Sequence, residues 1–468
     1  LNSEEKSIDT LVVKRLLKGF GVNTYQQILI IIIQLVGVPV ILHYWGAQLY
    51  GEWLILSAIP SYLSMADLGF SMSAGNDMTA KMARDDKRGV LAVFQSLTIF
   101  LGVIIIFGLL LSSLIFPFLP INRFMHLTLI DESNARWILW MLAASVLIQQ
   151  FDGLNDAGFR SQGEYAFHQF FYATSLFIQQ GFVWIIAILG YQPFFAALSM
   201  LIIRTIYTIL MTILLLHRQK IFKLGNQYLD KSIIVSLIKP AIANMAIPLA
   251  QALNIQGMVL VIGAVLNPLA VVTFSTLRTL TRFAYQIVLS ICIAFEPEMA
   301  REWGKQDKEM LLKLYLDNLR LSFWLALMCI FSLFFFGDTI IKLWTHNEVS
   351  MDRLLYIWLL LSAFASVLWY GGLNLMKSGN RHLQGSLIYV IASSIALIIS
   401  YFSMNFTKQI HFAGLSLLVM DTIMISYIFT NSSKILEIPG KKVIFSIINT
   451  RPLILRLKSL LHQKQTLL

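Results

Sequence analysis

The sequence predicts an all-α membrane protein, with twelve transmembrane helices in two pseudo-symmetric six-helix lobes around a central cavity. Three observations carry that prediction: an apolar composition, a series of long apolar windows, and a one-sided distribution of positive charge. Of the 468 residues, 57% are hydrophobic and 13% charged, and mean hydropathy is +0.71. A soluble domain carries about 25% charged residues. That contrast excludes a water-soluble enzyme, and the apolar content excludes a disordered scaffold.

A crossing helix needs about 20 mostly apolar residues. Windows of that kind fall at 22–42, 49–67, 90–116, 135–153, 168–190, 194–216, 241–262, 268–294, 321–337, 354–376, 383–404 and 411–430. The runs are continuous and lack strict alternation, which selects helices over a barrel. Lys plus Arg is 36 against 25 for Asp plus Glu, a net charge of +11. With the N-terminus inside, the inside segments hold 28 of those 36 cations, and the outside loops hold only Arg123, Lys342 and Lys408. Cytoplasmic loops collect Lys and Arg, so both termini are expected in the cytoplasm of a multi-pass inner-membrane protein. The same bias accounts for most of the basic excess without nucleic acid.

The segments follow from these windows. Residues 1–21 are a cytoplasmic N-terminal segment, without the pattern of a secretory signal. Residues 22–216 form the first lobe and 241–430 the second. The linker 217–240 interleaves Arg218, Lys220, Lys223, Lys231 and Lys239 with Ile221, Phe222, Leu224, Ile233 and Ile234. That pattern reads as an amphipathic element at the membrane surface. The tail 431–468, broken by Pro439 and Pro452, is expected to lie on the membrane as well.

Two six-helix halves invite a search for a repeat. An offset of 217 pairs Gln34 with Gln251, Gln27 with Asn244 and Gly46 with Gly263. It also pairs Met82-Ala83-Arg84-Asp85 with Met299-Ala300-Arg301-Glu302. A parallel repeat is the expectation.

Polar residues within the spans are costly in lipid and mark either helix contacts or a wet path. Asn23, Gln27 and Gln34 share one face of the first span, and Asn244, Gln251 and Asn254 one face of the seventh. Of these, Gln27, Gln34, Asn244, Gln251 and Asn254 are expected to line the cavity. The alternative reading is hydrogen-bonded glue. Arg204 lies at the centre of the sixth span, and Arg278 and Arg282 lie in the eighth at i,i+4 spacing. A buried Arg costs about 2.5 kcal/mol or more and needs a partner, a wet cavity or an anionic ligand. Glu52 and Asp421 are the candidate ion-pair partners. Otherwise the three arginines form a cationic substrate site, because a guanidinium binds phosphate bidentately and stays charged. Asp67 and Asp421 are the carboxylates considered for ion coupling. Pro39, Pro60 and Pro248 fall within spans and mark kinks.

Nothing in the sequence points to a cofactor, a metal or a catalytic centre. Cys292 and Cys329 lie in apolar stretches, the eight histidines are scattered, and no P-loop or Ser/His/Asp arrangement is present. No enzyme activity is expected.

The second span carries Gly46, then Tyr50-Gly51-x-Trp53, Tyr62 and Asp67-Leu68-Gly69. This run resembles the opening of polysaccharide-export flippases, the Wzx-type O-antigen flippases of the multidrug/oligosaccharidyl-lipid/polysaccharide exporter superfamily. The resemblance is sharpest over about residues 15–90. It implies a MATE-like fold and translocation of undecaprenyl-diphosphate-linked oligosaccharide across the bacterial inner membrane by alternating access, for lipopolysaccharide or another surface polysaccharide. The partners it implies are the lipid-linked substrate, membrane lipids, and polymerase or glycosyltransferase machinery. Arg204, Arg278 and Arg282 fit the family's cationic cavities by charge rather than by motif. Two relatives share the fold. One is the drug/cation antiporter, whose cavity would be dominated by carboxylates and aromatics. The other is the lipid II flippase, which usually carries further C-terminal spans.

Overall fold

Every regular element among the described residues is helical. The structure, a computed structural model, describes residues 2–65, 69–379, 381–439, 443 and 445–447. In chain order the helices are α1 (Asn2–Ser61), α2 (Phe70–Ala83), α3 (Lys87–Ile115), α4 (Ile121–Met125), α5 (Glu132–Ser161), α6 (Tyr165–Ile188) and α7 (Pro193–Arg218). They continue as α8 (Lys231–Ala252), α9 (Met258–Val265), α10 (Pro268–Lys305), α11 (Lys308–Trp344), α12 (Arg353–Ser378), α13 (Leu383–Thr407) and α14 (His411–Leu436). Among the described residues, ten stretches are long and apolar enough to cross a membrane. The first of them, Gly21–Ser64, holds two spans, because Gly46 breaks α1 at φ 73°. With α10, which carries Arg278 and Arg282, the twelve expected spans are accounted for.

The chain folds as two compact units. One comprises 1–252 with 267–272, and the other 253–266 with 273–468. The seventh span therefore changes unit part-way along, between α8 and a π-helical turn at Leu253–Gly257.

Several boundaries lie beyond the apolar windows. Residues 2–21 lead into the first span as one helix. The second span, expected to stop at 67 before an inside loop, is followed by α2. That helix buries Phe70, Ala74 and Met78, with Gly75 against Ala157 of α5. Likewise α5 runs to Ser161 rather than 153. A hydropathy window ends where charges begin, whereas a helix ends where its hydrogen bonds end.

Parts of the linker 217–240 and of the tail pack on the helical units. Phe222 is buried against Phe94 of α3, with ring centroids 4.7 Å apart. Gln95 of α3 donates to the Lys223 carbonyl at 3.0 Å and accepts from Tyr228 N–H at 2.9 Å. Residues 231–240 belong to α8. Phe222 thus enters the unit's own core, while Leu224 and Leu229 stay exposed. In the tail, Val443 and Ile447 are buried with Met299, Leu311, Tyr315 and Leu436. Glu437 accepts from Lys308 Nζ at 2.5 Å, and this hydrogen bond holds its carboxyl below the usual range. Residues 448–468 of the expected tail lie outside the described residues.

The two halves do repeat, and the hydrogen bonds give the register. Asp86 caps α3 by accepting from Gly89 N–H at 2.8 Å, and Asp307 caps α11 by accepting from Met310 N–H at 3.0 Å. The residues before them, Asp85 and Gln306, take φ of 56° and 60°. Asp131 and Asp352 cap α5 and α12 in the same way. Each of these pairs is 221 residues apart, not 217. Lys305-Gln306-Asp307 is therefore the counterpart of Arg84-Asp85-Asp86, and Met299–Glu302 lies one helical turn earlier. The four extra residues sit between the Gly46/Gly263 pair and the turn, about one turn of α-helix.

The Tyr50-Gly51-x-Trp53 run has a packing role in its unit. A Cβ at Gly51 would fall on the carbonyl of Pro268, the first residue of α10. Trp53 packs edge-on against Trp45 at 5.8 Å. Glu52, between them, is fully buried and accepts from the N–H groups of Thr128, Leu129 and Ile130 at 2.7, 2.9 and 2.8 Å. Gly51→Ala should destabilise the fold by about 1–3 kcal/mol, the usual range for overpacking. Thermal unfolding of purified protein in detergent should record a lower midpoint, because backbone rather than a mobile side chain blocks the new methyl.

Candidate functional site

The arginines of α10 belong to a connected polar chain in the second unit. The π-turn at Leu253–Gly257 departs from the α-helical hydrogen-bond pattern, and such turns are common at functional sites. Arg278 donates through Nη1 to the Asn254 carbonyl within that turn. The Asn254 side chain donates onward to the Tyr389 hydroxyl at 3.1 Å and to Ser393 Oγ at 3.0 Å, both on α13. The Tyr389 ring packs on Trp369 of α12 at 4.9 Å. Trp369 Nε1 donates to Asp421 of α14 at 2.8 Å. Asp421 is fully buried and also accepts from Ser362 at 2.5 Å and Ser366 at 2.7 Å. Its oxygens are thus met by neutral donors, and Arg278 acts on it through space without an ion-pair contact. Arg278 also lies 5.5 Å from the Phe274 ring centroid. Arg282, one turn on, is half-buried. Among the described residues neither arginine is in ion-pair contact with a carboxylate.

Arg204 lies in the first unit and is buried. Its Nη2 donates to Gln179 of α6 at 3.1 Å, while Nε and Nη1 have no hydrogen-bond acceptor among the described residues. Near it is a second polar group. Asp152, Asp156 and Arg160 follow one another at i,i+4 spacing on α5, and His168, Gln169 and Tyr172 face them from α6. His168 Nε2 is 3.0 Å from Asp152 Oδ1, and Nδ1 is 3.2 Å from Asp156 Oδ1. Arg160 pairs with Asp156, and Gln169 Nε2 donates to it at 3.3 Å. Beside this group is a cavity of about 290 Å³, lined by Ser64, Gln149, Gln150, Asp152, Asp156, His168, Gln169 and Tyr172 with Gly153.

Two helical units built on one repeat, each with charge inside its spans, are the arrangement to be compared with solved folds. One structure it resembles is that of a multidrug resistance MATE family transporter of the MOP superfamily, solved inward-facing. The TM-score is 0.71 at 14% identity, over 87% of this chain and 94% of that one. Another is the lipid II flippase MurJ in an inward closed conformation, with a TM-score of 0.69 at 12% identity over 93% and 90% of the two chains. The fold is MATE-like. No protein-family model matches the chain, and no curated protein does.

The polar residues expected to line a cavity separate in this fold. Asn244 donates to Ser73 Oγ of α2 at 3.1 Å, the glue reading of an intramembrane amide. Gln251 is exposed on α8, and Asn254 is buried in the other unit. The π-turn accounts for the split. It holds more residues per turn than an α-helix, so the single face assumed for 244, 251 and 254 is not continuous. On α1, Gln27 is exposed and Gln34 half-buried. Asp67 lies outside the described residues. Glu52 and Asp421, the two carboxylates considered as arginine partners, are met by backbone amides and by neutral side-chain donors instead.

The Asp152/His168/Asp156 group was not singled out from the sequence. The apolar window of the fourth span closes at 153, which assigned Asp156 and Arg160 to a loop. The Asp-x3-Asp-x3-Arg spacing was the available signal.

If Asp421 organises this network, Asp421→Ala strands three donors. It should cost about 3 kcal/mol or more. Asp421→Asn keeps an acceptor for Trp369 and should cost clearly less. Thermal unfolding of the two variants in detergent checks the order.

Proposed function

We propose that this chain is a transporter of the flippase type, moving an anionic lipid-linked oligosaccharide across a bilayer by alternating access. One observation carries the reading. Arg278 and Arg282 sit on one face of a membrane helix, and among the described residues neither is in ion-pair contact with a carboxylate. Cations kept inside a membrane without a directly paired carboxylate are held for a charge that comes and goes. Guanidinium suits a diphosphate because it offers paired donors to two oxygens at once. Arg204, whose Nε and Nη1 lack acceptors among the described residues, would serve the same anion at another stage.

The substrate in this reading is undecaprenyl-diphosphate-linked glycan, an O-antigen or related surface polysaccharide unit, delivered by glycosyltransferases and consumed by a polymerase. The membrane is the bacterial inner membrane, with both termini cytoplasmic, as the charge asymmetry of the loops argues. Lipid II presents the same diphosphate, so the arginines alone do not choose between glycans. A drug/cation antiporter is the second reading. The cavity lined by Asp152, Asp156 and Tyr172 is the feature that favours it.

The test is to replace Arg278 and Arg282 with Ala and measure surface glycan at matched protein levels. A loss of tenfold or more is expected, with Lys at both positions restoring only part, since Lys keeps the charge but not the paired donors. Full export by the double Ala variant would overturn the reading. Drug resistance on overexpression, with surface glycan unchanged, would favour the antiporter.

A further inference from the structure

We propose that Asp152, His168 and Asp156 form a proton-binding site, filled and emptied through the cavity beside them, and that release of this proton is a step of the transport cycle. The inference rests on the transport reading above for its place in a cycle. The site itself rests on geometry alone. A neutral imidazole has one N–H and one lone pair. Here Nε2 is hydrogen-bonded to Asp152 at 3.0 Å, and Nδ1 lies 3.2 Å from Asp156 Oδ1 without a hydrogen bond in this arrangement. A lone pair that close to a carboxylate oxygen is repelled, whereas an N–H there is attracted. The pair of carboxylates therefore favours a hydrogen on each side of the ring, that is, one proton more than a neutral imidazole and two carboxylates hold between them.

The surroundings fit a proton that can leave. The His168 side chain is 2% exposed and that of Asp152 5%, so neither is screened by bulk water. The ring stacks with two aromatic neighbours, Phe159 at 5.8 Å and Tyr172 at 6.3 Å. Charged and titratable groups approach from each packed helix. On α5 they are the two aspartates and Arg160, which pairs with Asp156. On α6 there are Tyr165, which approaches Asp156 and Arg160, and Tyr172, whose hydroxyl accepts from Gln149 at 3.1 Å. On α7 there are Arg204, beside Tyr172, and Tyr207, which approaches both Tyr172 and Asp152. With the proton bound, two carboxylates face two cations, His168 and Arg160, and the cluster is neutral. Without it the cluster carries one net negative charge away from bulk water.

The step balances simply. A proton passes from an imidazolium nitrogen to water in the 290 Å³ cavity, leaving hydronium there and a neutral ring behind. One carboxylate then faces a lone pair. The tie between α5 and α6 weakens on that side, and α6 is the helix that Tyr25 of α1 meets through Thr174, at 3.1 Å. Loss of the proton therefore loosens the junction that positions the first span.

Proton binding can be measured on the purified full chain in detergent, without substrate. A pH-indicator titration between about pH 5 and 10 should count about one proton fewer for His168→Gln than for the unaltered protein. Asp152→Asn should change the pH at which that proton is released while leaving the proton count unchanged, since one neighbouring charge is lost. Equal counts for the unaltered protein and His168→Gln would overturn the proposal. In cells, His168→Lys keeps a positive charge between the aspartates but holds its proton, so it should accumulate normally and lose at least tenfold in glycan export. Export at the unaltered level would assign His168 a fixed structural charge and overturn the proposal as well. The Arg278/Arg282 double Ala variant should titrate like the unaltered protein. Failure of the glycan reading thus leaves the proton count standing, and failure of the proton site leaves the arginine effect standing.

Discussion

Charge placed inside an apolar helical bundle has to be answered by a dipole or by an opposite charge, and most of this structure's detail serves that constraint. Glu52 is answered by three backbone N–H groups of the segment 128–130. Asp421 is answered by two hydroxyls and an indole. Asp317 takes Arg320 at 2.8 Å, and Asp156 takes Arg160 with His168 beside it. An unpaired buried ion costs several kcal/mol, so each answer is also a positional restraint. Glu52 ties a helix to a loop, Asp421 ties α14 to α12, and His168 ties α6 to α5, while Asp317 and Arg320 pair within α11. Arg204, Arg278 and Arg282 stand apart because their answers are a side-chain amide, a backbone carbonyl and, for Arg282, no carboxylate among the described residues. A carbonyl or amide satisfies a hydrogen bond without neutralising the charge.

The fold was legible from the chain because composition is an average and averages survive local error. Long apolar runs predict helices whatever their ends do, and the loop charges orient them. Boundaries were less legible. Asp152, Asp156 and Arg160 continue α5 because each charge has a partner, and hydropathy has no way to register a partner. Phe222 shows the reverse case. It reads as a lipid-facing residue of an amphipathic stretch until the ring of Phe94 is seen against it. The three arginines were legible as anomalies, since guanidinium in an apolar run stands out. Their neighbours were not, because Asn254 reaches Tyr389 across 135 residues of sequence and no spacing rule spans that distance.

The repeat shows how a sequence match and a structural match part company. Identity of side chains aligned Arg84-Asp85 with Arg301-Glu302. The capping hydrogen bonds align Asp86 with Asp307, because a cap is fixed by backbone geometry and by an oxygen at one position. The intervening sequence then drifts by a turn without disturbing either end. The same geometry recurs at Asp131 and Asp352, which argues for one ancestral six-helix plan in both units.

The docked segment beyond α14 has a practical meaning. Arg320 donates to the Ser446 carbonyl at 2.9 Å as well as to Asp317, and Val443 and Ile447 cover Tyr315. A truncation ahead of Val443, or a protease nick there, would strip an acceptor from a guanidinium and bare an aromatic core at once. Purification tags or fluorescent fusions belong downstream of Ile447, where they leave this plug in its socket.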